Sequence, residues 1–387
     1  MRNKRLDILR CIAVVLVIVY HGNISAVVAK IGWVGVDLFF VLSGFLISGL
    51  FYSEHKKRSS INFRRFFVRR GFKIYPSFYV FLLVTFLAQI VLHHHSGWGP
   101  YLREIFFIQN YKDAIWAHTW SLAVEEHFYI LLPILLWMLI RFSRDQSNPF
   151  RIIPACFVVV AIACLSLRFA VIHFTTPASF RWQMVWTPTH DRLDALLLGV
   201  ALGYFHHYHP ELISNFLSRP VWRVALGLST ILLLSICFFY PHESHFLLTF
   251  GLILVDLGCG GLLFLCLYTN NILPSILARP VEKVGTIFAM VGTYSYSIYL
   301  WHAGFAAWAP GVVRRVLHIQ FTRVELFYFY FAGSIAFGVL MARLIEFPTL
   351  RLRDRLFPAM QTQTLSVPAE NTQPAGTPSM ENSAATS

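Results

Sequence analysis

The chain has 387 residues, of which 56% are hydrophobic, 16% aromatic and only 13% charged. Soluble domains carry about 25% charged residues, so a chain this apolar cannot cover a water-facing surface, and a water-soluble enzyme, a disordered protein and a secreted disulfide scaffold are excluded. The net charge of +13 fits the Lys and Arg excess of cytoplasmic loops before it fits nucleic acid, and six cysteines at 11, 156, 164, 237, 259 and 266, with no CxxC pair, read as buried free thiols.

A membrane helix takes about 20 mostly apolar residues. Ten such runs follow in chain order, at roughly 7–27, 33–53, 75–95, 119–140, 152–173, 188–206, 222–240, 246–268, 285–308 and 325–346. Lipid offers backbone groups no partner, so these runs are helices, and none shows the alternation of a barrel strand. The expected fold is an all-α membrane protein, a polytopic bundle of about ten transmembrane helices. Arg10 and His21 interrupt the first run and its apolar character continues past Ser25, which argues against a cleaved signal peptide. With the N-terminus cytoplasmic, 22 of the 32 Lys and Arg fall on that side, so both termini are expected in the cytoplasm. Arg314 and Arg315 in the last outer loop run against the trend. Residues 1–355 form the expected transmembrane domain, and 356–387, rich in Ser, Thr, Pro and Ala, an expected disordered cytoplasmic tail.

Ionisable side chains inside a span are costly and mark function by default. The first span carries Asp7, Arg10 and His21. Eleven residues separate Arg10 from His21, so they share a helix face but stand about 16 Å apart along the axis. Depth places Asp37, Glu125, Glu126, Asp191, Arg192, Asp194, Tyr299 and His302 in the same outer layer as His21. An imidazole paired with a carboxylate serves as a general base, against the alternative of a satisfied histidine joining two helices. For His302, Asp191 and Asp194 helix packing is the favoured role. A basic loop runs from Lys56 to Lys73 with Arg64, Arg65, Arg69 and Arg70 in its second half. Guanidinium groups bind phosphate bidentately, but on composition alone a topology signal or attraction to anionic lipid is the favoured explanation of the loop. The histidine runs at 93–95 and 206–209 lack metal-site spacing, so no metal is expected. Ser43 lacks a nucleophile elbow, and the small residues around it suit close helix packing.

Six strings taken together carry a resemblance: LDILRCIAVVLVIVYH (6–21), GWVGVDLFFVLSGFLISG (32–49), RRGFKIYPSF (69–78), TWSLAVEEHFYILLP (119–133), RLDALLLG (192–199) and SYSIYLWH (295–302). In this order they resemble the acyltransferase-3 family of integral-membrane acyltransferases, over roughly residues 5–350. The resemblance implies transfer of an acyl group, most often acetyl, from cytoplasmic acyl-CoA (acetyl-CoA) to a hydroxyl of an extracytoplasmic or lipid-linked saccharide such as an O-antigen or exopolysaccharide. It implies a multi-pass protein of the cytoplasmic (inner) membrane whose partners are acyl-CoA, a glycan acceptor and the lipid bilayer, with no nucleic acid. It implies a catalytic set of His21, Asp37, Glu125 and Glu126, with His21 as general base or transient acyl acceptor, and donor-binding residues Arg10, Arg64, Arg65, Arg69 and Arg70. No esterase-like domain of the kind fused to some members is expected here, which resembles the stand-alone glycan-modifying members. Two readings from other classes stand beside this one. They are a proton-coupled transporter of an envelope precursor, which predicts repeats and paired broken helices not evident here, and a structural subunit of an envelope-synthesis complex.

Overall fold

The computed structural model describes residues 3–22, 30–93, 96–269, 275–318 and 320–358. Among these, every regular element is helical. The principal helices are α1 (Lys4–Gly22), α2 (Val34–Arg58), α3 (Phe63–Val91), α4 (Trp98–Ile105), α5 (Trp120–Phe142), α6 (Ile153–Phe174), α7 (Leu193–Tyr208), α8 (Pro210–Ser218), α9 (Pro220–Phe239), α10 (Leu252–Tyr268), α11 (Ser275–Thr293), α12 (Ser295–Leu317), α13 (Arg323–Met341) and α14 (Phe347–Leu356). Seven helices among the described residues are long and apolar enough to cross a membrane. The expected spans at 7–27, 188–206 and 285–308 are not among them. α1 is charged and 19 residues long, and α7 has only 16. The run at 285–308 is not one helix: it breaks at Tyr294 between α11 and α12.

Lipid tails are as apolar as leucine, so helices in a bilayer associate through close packing and polar contacts rather than through the hydrophobic effect. The α2–α7 pair does this through glycines. A Cβ on Gly44 would stand 1.9 Å from the Leu196 carbonyl oxygen, and one on Gly199 2.1 Å from that of Val41. The small residues around Ser43 thus serve close approach, as expected. Outward faces of α6 and α9 leave Val158, Val159, Ile162, Leu228, Ile231 and Leu232 exposed, an apolar surface that suits lipid.

Two helices widen into π turns, at Leu247–Gly251 and Ala342–Glu346. The second precedes Pro348, which has no N–H to continue the regular ladder. α3 starts at an Asn62 cap, whose side chain accepts from the Arg65 N–H at 2.9 Å, and so fixes where the basic loop becomes helix. All six cysteines are free. α14 ends at Leu356, Phe357 and Pro358 follow it, and the remainder of the expected tail, like His94 and His95, lies outside the described residues.

Candidate active site

Three histidines converge at one end of the bundle. His21 lies at the last turn of α1, His302 two turns into α12, and His118 in the turn before α5. His302 Nε2 stands 3.3 Å from His21 Nδ1. The His302 and His118 rings are 4.8 Å apart. His302 and His118 are buried, whereas His21 is exposed. The hydrogen bonds set the tautomers. His302 Nδ1 lies 2.5 Å from the Tyr299 carbonyl and must donate to it, which leaves Nε2 as an acceptor. His21 Nδ1 faces the Val17 carbonyl at 3.0 Å as well as His302 Nε2. Nδ1 therefore carries the proton and His21 Nε2 the free lone pair. The Tyr299 hydroxyl donates to the His118 carbonyl at 2.7 Å and meets Ser121 Oγ at 2.5 Å.

The turn that presents His118 is tied down by Glu104, a fully buried carboxylate of α4. Its Oε1 accepts from Thr119 Oγ1 at 2.9 Å and from the Trp116 N–H at 3.3 Å. Burial raises the Glu104 carboxyl to about 7, the hydrogen bonds from Thr119 and Trp116 opposing the rise.

A cavity of about 300 Å³ is lined by Arg10, Ser43, Arg70, Lys73, Ser121, Glu125, Tyr296, Tyr299 and Arg353, among others, and among the described residues reaches the histidines only through Ser121 and Tyr299, none of the three lining it. It adjoins a second cavity of about 520 Å³, which carries seven cations (Lys57, Arg58, Arg65, Arg69, Arg70, Lys73, Arg353) and one carboxylate, Glu54. Arg70, Lys73 and Arg353 belong to both. Arg70 bonds the Tyr129 hydroxyl and lies 3.5 Å from Glu125, which also accepts from Tyr129 and, at 3.1 Å, from Ser43 Oγ. Glu126 accepts from Tyr75 at 3.1 Å. Lys73 pairs with Glu346, and Ser297 donates to the same carboxylate at 2.5 Å. Glu346 is the last residue of the π turn and is fully buried; such turns recur at functional sites.

The expected residues are thus divided. Arg65, Arg69 and Arg70 line the basic cavity, and Arg10 the inner one, where it pairs with Asp7 at 3.3 Å. Arg64 is exposed and lines neither. Glu125 joins Arg70 rather than His21. Asp37 is fully buried and bonds Arg192, whose guanidinium also lies 5.3–5.9 Å from the rings of Phe40, Trp120 and Trp186. Neither carboxylate is a hydrogen-bond partner of His21 among the described residues; the expected imidazole–carboxylate pairing is replaced by His302. Asp194 pairs with Arg168 at 2.7 Å, a packing role as expected, while His302 turns out to touch the exposed histidine. His118, Glu346 and Arg353 went unnoticed in the sequence. Glu346 was recognisable as a carboxylate at the inner end of an apolar run, but His118 and Arg353 carried no local signal. Among the described residues no group of three or more His, Cys, Asp or Glu could hold a metal ion.

A helical membrane protein with three clustered histidines that touch the cavity-lining Tyr299 and Ser121, and with a basic vestibule adjoining the same cavity, is what the fold and site define. The model of the acyltransferase domain matches residues 3–343, and the chain belongs to the acyltransferase-3 family. It is 29% identical over 325 residues to the peptidoglycan O-acetyltransferase OatA of Listeria monocytogenes, covering 77% of this chain and 48% of that protein. It is 28% identical over 318 residues to the O-acetyltransferase OatA of Staphylococcus aureus, covering 77% and 49%. The chain thus spans about half the length of these relatives. No solved structure matches it at a significant level.

Proposed function

We propose that the protein crosses the cytoplasmic membrane ten times, with both termini in the cytoplasm, and moves an acyl group from acyl-CoA to a saccharide hydroxyl on the far side. Acetyl is the group favoured by the names of its relatives. The observation that carries this reading is the junction of the two cavities. The basic one offers guanidinium groups to the donor's phosphates, and the inner one leads from Arg70 and Lys73 to Ser121 and Tyr299, beside the histidines.

The thioester lies in the inner cavity and the acceptor hydroxyl enters from the exposed side of His21. His21 Nε2 takes the hydroxyl proton, the oxygen attacks the thioester carbonyl, and the carbon–sulfur bond breaks. The proton passes from His21 to the departing thiolate, giving ester and free CoA. While charged, the His21 ring holds its Nδ1 proton against two acceptors, the Val17 carbonyl and His302 Nε2. They do the orienting work expected of Asp37 or Glu125. Those carboxylates act elsewhere: Glu125 holds Arg70 and Tyr129 at the cavity wall, and Asp37 fixes α2 to α7.

The test uses membrane vesicles with wild-type protein or His21→Ala at matched expression, acetyl-labelled acetyl-CoA on the cytoplasmic face, and label counted in extracted glycan. Label should fall about 100-fold or more in the variant, the scale of a lost general base. Equal label in both would remove His21 from the chemistry.

A further inference from the structure

The family match ends at residue 343, yet the wall of both cavities continues past it. α14 contributes Arg353 to the basic cavity, and three contacts from α3 latch it and the two residues that follow it. Arg69 donates to the Phe357 carbonyl at 2.6 Å and to Asp354 at 3.0 Å, and Arg65 bonds the Pro358 carbonyl. The helix carries four basic or acidic side chains with separate destinations. Arg353 lines both the basic and the inner cavity, whereas Arg351 lines neither. Arg353 is mostly buried, and Asp354 holds it in a fork, accepting from Nε at 3.0 Å and Nη2 at 3.1 Å. The same carboxylate takes Arg69 but lines neither cavity, so it ties the two guanidinium groups from behind.

We propose that Arg353 is a donor-binding residue, contacting a phosphate of the acyl-CoA where the molecule passes from the basic cavity into the inner one, with Asp354 as its positioning residue. The inference rests on the donor reading above and adds to it a segment outside the family-matched residues. A guanidinium held by its own Nε edge loses little freedom on binding and presents its remaining N–H groups at a fixed place. Asp354 keeps Arg69 when Arg353 is replaced, so the latch of α14 survives the substitution.

The experiment measures binding by calorimetry to the full chain in detergent, with CoA and with pantetheine, which lacks the phosphates. Arg353→Gln should weaken CoA about tenfold, the scale of one charge-assisted contact, and leave pantetheine unchanged. Arg353→Lys should recover part of the loss. Arg351→Gln, the same charge change on the same helix, should leave both unchanged. Equal CoA affinity in the wild type and Arg353→Gln overturns the proposal and leaves the donor reading standing, as does an equal loss in Arg351→Gln. Weakening that appears only with phosphatidylglycerol vesicles, and not with CoA, assigns Arg353 to lipid headgroups and also overturns it. No CoA binding by the wild type overturns the donor reading itself, and this inference with it.

Discussion

Two regions of the bundle use the same residue types for different ends. Around Arg192 and Arg168, the carboxylates of Asp37, Asp194 and Asp256 are buried, and rings of Phe40, Trp120 and Trp186 enclose the Arg192 guanidinium. Around Arg70 and Lys73, the carboxylates of Glu125 and Glu346 do similar pairing, but the cations face two adjoining cavities. In the first region Asp37 pairs with Arg192 and Asp194 with Arg168, joining α2 and α6 to α7, while Asp256 of α10 is buried beside them without a hydrogen-bond partner among the described residues. In the second, partners fix the cations while leaving part of each free for an anion. Space beside the charge, rather than charge in the membrane, separates a packing cluster from a binding site.

The comparison breaks most visibly in the closed region. Arg192→Leu leaves Asp37 buried without its counterion, a loss of about 3–5 kcal/mol. Folded protein should nearly vanish in size-exclusion profiles of detergent extracts, and the double replacement Asp37→Leu, Arg192→Leu should restore much of it. Full recovery of the single variant would show that the pair does not hold the helices.

Glu104 sharpens the contrast, as a buried carboxylate with no cation partner among the described residues. Its carboxyl titrates near 7 in the fold against about 4.3 in an unfolded chain. The folded form therefore binds more protons between those values, and stability falls as pH rises through that window, by at most about 4 kcal/mol. Glu104→Gln should flatten the dependence of melting temperature on pH from 5 to 8. A slope equal to the wild type's would mean that another group sets it.

On the donor reading proposed above, the effects in the open region fall on acyl-CoA binding. Arg70→Gln should leave the protein folded and raise KM for acetyl-CoA about tenfold, as one charge-assisted contact is lost. A change in kcat alone would place Arg70 outside donor binding. The smallest effect belongs to Glu346→Gln, which keeps the Ser297 hydrogen bond and loses only the charge facing Lys73. KM should shift about two- to fivefold, on the scale of about 1 kcal/mol, with kcat little changed.

Composition and apolar run length determined the helical membrane character, because lipid forbids any other way of satisfying the backbone. The motifs singled out His21 and the arginines at 65, 69 and 70, since rare ionisable residues in or beside apolar runs stand out against their surroundings. Depth alone also put Asp37 and Glu125 in the layer of His21, but lateral position is set by which helices pack together, and the period of one helix carries no record of its neighbours. The Gly44–Gly199 contact brings α7 against α2 and hands Asp37 to Arg192. The break at Tyr294 starts α12 afresh and turns His302 toward His21. The π turn before Pro348 carries Glu346 to Lys73 and sets the course of α14, whose Arg353 reaches both cavities. Those contacts join residues 155 to 281 positions apart, and only the tertiary structure could decide them.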